Sequence, residues 1–248
     1  MKNQYFGDVN DFRKYCLLRR MQNSGFGRIA VAWMLTEDDG GPDGRFRGYL
    51  DPTKKASKVR HLDPSLHGSL LRLLASGRPS VSLFEASDAL PGASYYSATV
   101  PDSVDERILW RQGLEEFARG ADLVFVDPDN GIEVNSKPIG RKGSSKYVAW
   151  DELRAIWERG ASVLVYQHFR REERTAFAHR MAAELQARIG VQHVEAFRTP
   201  HVLFLLAAQD RHLKAFQAAS APDLSWSKQI EVIGLANSAC SRQRRVSE

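Results

Sequence analysis

The apolar run Leu123-Val124-Phe125-Val126, closed by Asp127-Pro128-Asp129-Asn130-Gly131, constrains this chain more than any other feature. A run with no polar face suits a strand buried on both sides, as in the interior of a parallel sheet. A parallel sheet needs crossover connections, and the sequence supplies them. Helical patterns at Asp102 to Arg119, Trp150 to Glu158 and Glu172 to Ile189 separate strand-like runs at Ile29 to Leu35, Ser162 to Tyr166 and Val191 to Phe197. His201 to Ala208 is a further strand, and only Thr199-Pro200 divides it from its predecessor, so the last two strands must form an antiparallel hairpin. The expected fold is α/β, with a mostly parallel sheet, helices on both faces and a C-terminal antiparallel hairpin at one edge.

The remaining segments are less sharply marked. Asp8 can cap a first helix, with Asp11 in the capping-box position and Val9, Phe12 and Cys16 on one face; Ser24-Gly25-Phe26-Gly27 ends it. Val81 to Glu85 reads as a short strand, and Tyr95-Tyr96 as part of another. Residues 45–80 read as an insertion, with a basic cluster at Lys54, Lys55, Lys58 and Arg60 and a helix from Leu66 to Leu74 stopped at Gly77. One domain is expected over 1–236, followed by a polar, Arg-rich tail over 237–248.

Composition narrows the setting. Lys and Arg number 35 against 30 acidic residues, for a net charge of +5, which permits a polyanionic partner without requiring one. The first residues carry no apolar run, and Val202 to Ala208 is far too short to span a bilayer. Cys16 and Cys240 alone make neither a disulfide framework nor a metal site. A cytoplasmic protein with free thiols and no membrane association is expected; the oligomeric state is left open.

Ligands of open α/β sheets bind beyond the carboxyl ends of the strands. Those ends here are Thr36 to Asp39, Asp127 to Gly131 and Gln167-His168, which line one cleft if their strands are neighbours. In the central segment Pro128 fixes its own φ and Asn130-Gly131 tolerates positive φ, so the turn is stiff and tightly bent. It can hold a carboxylate, a carbonyl and an amide against a flat ligand. A plain hairpin, with Ile132-Glu133-Val134 pairing back, is the alternative.

The parallel sheet finishing in an antiparallel strand resembles the Rossmann-like class I methyltransferases. Asp127-Pro128-Asp129-Asn130 resembles the D-P-P-Y motif with which amine-directed methyltransferases bind an exocyclic base amine; Asp129 and Asn130 replace the second proline and the aromatic. Asp11-Phe12-Arg13-Lys14-Tyr15, with Tyr5 upstream, resembles the D-V-x-K-H start of the bacterial large-subunit ribosomal RNA adenine methyltransferases. That likeness implies that Lys14 and Tyr5 lie near the cofactor or the phosphate backbone. Asp127 to Gly131 and Tyr166 to Phe169 are also similar to the D-P-D-N-G and Y-Q-H-F elements of an uncharacterised bacterial family, which implies a fold and no reaction.

By the same resemblance S-adenosylmethionine would sit on the loop after the first strand, with Thr36, Gly40, Gly41 and Gly44 near it and Asp38 or Asp39 meeting its ammonium. Glu85 would hold the ribose. The loop departs from the family's G-x-G-x-G spacing. Lys137, Arg141, Lys142 and Lys146, beside Tyr147 and Trp150, form a basic and aromatic segment suited to phosphate contact and base stacking, joined by His168, Arg170 and Arg171. The leading expectation is methyl transfer to a base amine in RNA or DNA, using Asp127, Pro128, Asp129, Asn130 and Lys14. Two others stand beside it: a Mg²⁺-dependent nuclease on Asp127, Asp129 and Glu133 with Lys137 as the phosphoryl stabiliser, and a non-catalytic nucleic-acid-binding protein with a decayed methyltransferase site.

Overall fold

The computed structural model describes residues 1–41, 44, 46–51 and 58–235. Its strands are β1 (Ile29–Ala32), β2 (Ser94–Tyr96), β3 (Leu123–Val126), β4 (Gly131–Ile132), β5 (Tyr147–Val148), β6 (Ser162–His168), β7 (His193–Arg198), β8 (Val202–Ala208) and β9 (Glu231–Val232). Seven of them form one sheet in the order β2-β1-β3-β6-β8-β7-β9. β3 is buried along its whole length and runs parallel to both β1 and β6, as an apolar strand without a polar face must.

The helices are α1 (Val9–Asn23), α2 (Pro64–Ser76), α3 (Val81–Glu85), α4 (Val104–Phe117), α5 (Trp150–Glu158), α6 (Arg174–Ile189) and α7 (Leu213–Ser220). Alternate residues of β1 and of the two residues after it divide between two cores. Ile29, Val31 and Trp33 pack with Phe12, Leu66, Phe84 and Ala215 from α1, α2, α3 and α7. Ala30, Ala32 and Met34 pack with Leu114, Leu153 and Met181 from α4, α5 and α6. Helices therefore cover both faces, and none among the described residues is long and apolar enough to cross a membrane.

Two expectations need correction, and the hairpin alternative at Ile132 falls. Val81–Glu85 is a helix rather than a strand: the Ser80 hydroxyl accepts the Ser82 N–H, and Val81 and Phe84, three apart, bury together. Its apolar content was too short to show a period. The C-terminal hairpin does not sit at the edge of the sheet. β8 lies between β6 and β7, antiparallel to each, and β9 extends the sheet beyond β7. Ile132 does not pair back as a hairpin; β4 runs parallel to β5, pairing Gly131 with Tyr147 and Ile132 with Val148. Lys54, Lys55 and the 237–248 tail with Cys240 lie outside the described residues, while Lys58 and Arg60 precede α2, which packs on α1. Cys16 is a buried free thiol.

Candidate functional site

The carboxyl ends of β1, β3 and β6 open into a cleft of about 670 Å³, whose lining includes Tyr5, Lys14, Asp127, Asn130, Lys146 and His168. The turn after β3 is held from all sides. The Asp127 N–H donates to the Ala32 carbonyl (3.0 Å), Asn130 N–H to the Lys146 carbonyl (2.9 Å), and His168 N–H to the Asn130 carbonyl (3.2 Å). Gly131 has φ +114, and a Cβ there would lie within 2.4–2.5 Å of the Gln167 side chain. Gln167 in turn accepts the Ile132 N–H (2.8 Å). Glycine is therefore required by both dihedral and space, and the D-P-D-N-G and Y-Q-H-F segments form one packed unit.

The floor is a buried charge network. Lys14 Nζ, on the second turn of α1, donates to Asp11 Oδ1 (2.7 Å) and to Asp127 Oδ2 (2.6 Å). Each of these side chains is at most 5% exposed. Asp11 also accepts the Gly7 N–H (3.2 Å), and Asp8 caps α1 through the Asn10 N–H (2.8 Å). Burial pushes the Asp11 carboxyl up to about 6, with Lys14 pulling the other way. Burial opposes the Lys14 charge, but the two carboxylates outweigh it and raise the pKa of the ammonium.

A second set of acceptors lies beside this one. The Met34 carbonyl (3.1 Å), the Asp127 carbonyl (3.1 Å) and Asp129 Oδ1 (2.7 Å) converge on one cation, the α-ammonium of Met1. Thr36 Oγ1 donates to the other Asp129 oxygen (2.7 Å). Burial pushes the Asp129 carboxyl up, yet the α-ammonium and the Thr36 hydroxyl bring it below its ordinary value. Met34 is the non-glycine residue with positive φ, +47, among those described. That conformation costs roughly 1–2 kcal/mol and turns its carbonyl toward the ammonium.

The other expected residues divide. Asp39 lines the cleft, but its carboxylate is taken by Lys2 Nζ and Gln4 Nε2 (3.0 Å). Asp38 accepts the Gln4 N–H (3.2 Å), and the Gly40 N–H donates to the Gln4 side chain (3.2 Å). Glu85 faces away, accepting Trp33 Nε1–H (2.8 Å) and the Ser97 hydroxyl. Of the basic segment, Lys146 reaches the cleft, whereas Arg141 and Lys142 are exposed outside its lining and Lys137 Nζ donates to the Lys142 carbonyl (3.0 Å). Arg170 is exposed just past β6. Glu133 does not join Asp127 and Asp129; it accepts the Trp150 N–H (3.1 Å) at the start of α5. Among the described residues no group of three or more His, Cys, Asp or Glu side chains is placed to hold a metal ion.

Comparison with protein-family models, with curated proteins and with solved structures returned no match. The site must be read from its own geometry. Phe46, in a stretch without a pattern, and His201, at the start of a strand-like run, line the cleft without a functional signal in the sequence, and Tyr166 shows there only as part of the Y-Q-H-F element. Tyr166 OH shares a hydrogen bond with His168 Nε2 (3.0 Å), and burial lowers the His168 pKa, favouring the neutral ring.

Proposed function

We propose that this protein is a methyltransferase-like enzyme acting on a base amine in nucleic acid. The observation that carries the reading is the 2.6 Å ion pair between Lys14 and Asp127. It joins two segments, each of which resembles amine-directed or RNA-adenine methyltransferases on its own residues, and Tyr5 from the first of them lines the same cleft. The antiparallel β8 beyond a parallel sheet supports the same likeness.

S-adenosylmethionine carries an α-ammonium, and the acceptors at Met34, Asp127 and Asp129, which hold the α-ammonium of Met1, are of the kind such a group needs. A ligand ammonium would have to displace that of Met1 to take this place, where Asp129 rather than Asp38 or Asp39 would be its carboxylate. Gly44 does not form a cradle for the cofactor: a Cβ there would strike the Tyr5 ring at 2.0 Å, so that close approach serves the protein itself. When bound, the cofactor supplies a methyl group already activated on sulfonium.

The chain's own part is then chiefly positioning. Asp127 Oδ2 is occupied by Lys14, which fixes the carboxylate and leaves Oδ1 to accept from the substrate amine. The half-buried Asn130 amide makes no hydrogen bond among the described residues and can both donate and accept, the pairing that amide side chains make with the adenine edge. His168, whose pKa burial lowers, lines the cleft and shares Nε2 with the Tyr166 hydroxyl, an arrangement that would let the pair relay a proton. The nuclease reading loses support because Glu133 serves the start of α5.

The test is transfer of a labelled methyl group to single-stranded RNA and DNA, with calorimetry of S-adenosylhomocysteine beside it. Asn130→Ala should lower transfer roughly 100-fold with an unchanged melting temperature, and Asp127→Asn should impair turnover while cofactor affinity holds. No heat with millimolar S-adenosylhomocysteine, together with retained nucleic-acid binding, would replace this reading with that of a decayed site.

A further inference from the structure

We infer that Phe46 is a stacking platform for an unpaired base, and that the ligand of the cleft is therefore a single-stranded or unstacked segment of nucleic acid; the inference rests on the reading above. Phe46 is 70% exposed and lines the cleft together with Tyr5, Lys146, His168 and His201. Isolated exposed apolar residues are common and usually mean nothing. This one differs because its backbone is fixed. The Phe46 N–H donates to Asp8 Oδ2 (2.9 Å) and the Val9 N–H donates to the Phe46 carbonyl (3.1 Å), which ties it to the start of α1. An aromatic ring is thus held in water at the mouth of the cleft, where a ligand's flat face would cover it.

The charge distribution says which part of the ligand enters. Asp8, Asp11, Asp39, Asp127 and Asp129 all line the cleft, and the cations on its floor, Lys2, Lys14 and the Met1 α-ammonium, are already paired with these carboxylates, so the floor gives a phosphate little to bind. Carboxylates and an amide suit the donor groups of a base edge instead. The backbone must stay at the rim, near Lys146 and the exposed Arg141 and Lys142. A base with its phosphates left outside has been taken out of a stack, and a paired duplex offers no such base without unpairing. The aromatic ring at the mouth repays part of that lost stacking.

The experiment measures binding of fluorescent single-stranded RNA and DNA decamers, and of the same sequences as duplexes, to the unsubstituted protein, Phe46→Ala and Phe46→Trp. Single strands should bind more tightly than duplexes. Phe46→Ala should weaken single-strand binding about 5- to 150-fold without a change in melting temperature, since the side chain is exposed. Phe46→Trp should bind within about threefold of the unsubstituted protein, a smaller loss than removal of the ring causes, and its emission should be quenched by the oligonucleotide. Unchanged affinity in Phe46→Ala with unquenched Phe46→Trp overturns the inference while leaving methyl transfer standing. Absent transfer with the Phe46 effects intact overturns the enzymatic reading alone. Failure of the unsubstituted protein to bind any of these oligonucleotides at low salt overturns both.

Discussion

At the scale of single residues, the cleft is governed by one ammonium between two carboxylates. Lys14 pairs with both Asp11 and Asp127, and all three are buried. Removing one partner from such a group leaves uncompensated charge and costs about 3–5 kcal/mol. Lys14→Met should therefore lose about that much at pH 7 in urea denaturation. The loss should shrink as the pH falls toward 5, because unpaired buried carboxyls bind protons more readily in the folded protein than in the unfolded chain. Asp11 is already held up at about 6 with Lys14 present. A surface lysine would show neither effect. Much of this network was legible in the sequence: Asp127 after a buried strand needs a reason to be there, and Lys14 stood in a recognisable segment. What could not be read was their contact, since nothing local links residues on separate elements. Nor could the fate of Asp38, Asp39 and Glu85 be read, because a carboxylate's partner depends on which chain segment folds over it. Here that segment carries Lys2 and Gln4.

At the scale of elements, the basic segment after β4 is less mobile than its glycines suggest. Asp102, just before α4, accepts the Gly143 N–H (2.7 Å), the Ser145 N–H (2.7 Å) and the Ser144 hydroxyl (3.2 Å). Burial raises the Asp102 carboxyl, but these donors overcome it and hold the group at about 2. Asp102→Ala should cost about 1 kcal/mol of stability and, by freeing Lys142 and Lys146, weaken oligonucleotide binding and flatten its salt dependence. Parallel fluorescence titrations at two salt concentrations check this; an unchanged slope would mean that the loop makes no phosphate contact. Strand and helix periods made the sheet core and the long helices readable. The short pieces escaped for the same physical reason. α3 is a single helical turn and β9 a two-residue strand, so neither holds a full repeat of apolar pattern, and tertiary packing decides both.

At the scale of the whole molecule, the ends of the strands opposite the cleft carry a hydrogen-bonded chain of their own. Ser162 Oγ meets His212 Nδ1 (2.8 Å), whose Nε2 faces Asp122 Oδ1 (3.4 Å). The order of groups suits a nucleophile and its base, but Ser162 is fully buried and also accepts the Gln209 N–H (3.0 Å), so the chain ties α7 to β3 and β6. Burial lowers the His212 pKa below its ordinary 6.5, Arg211 works in the same direction and Asp122 opposes them. The folded protein then binds that proton less readily than the unfolded chain, so its contribution is present above 6.5 and is lost as the pH falls below it. Urea midpoints at pH 7.5 and 5.5 should differ less in His212→Asn than in the unsubstituted protein; an equal difference would remove His212 from the account.

The place of β8 has a consequence for the order in which the molecule can be assembled. β6 and β7 are separated in the sheet by a strand that follows both in the chain. During synthesis, the backbone donors and acceptors along one side of β6 wait without partners until residues 202–208 emerge. Through that interval the nascent chain offers an apolar edge of the kind that recruits strands from other chains. A polypeptide halted before Val202 would keep that edge permanently, so aggregation is the expected fate of a truncated product that nonetheless contains Lys14, Asp127 and Asn130.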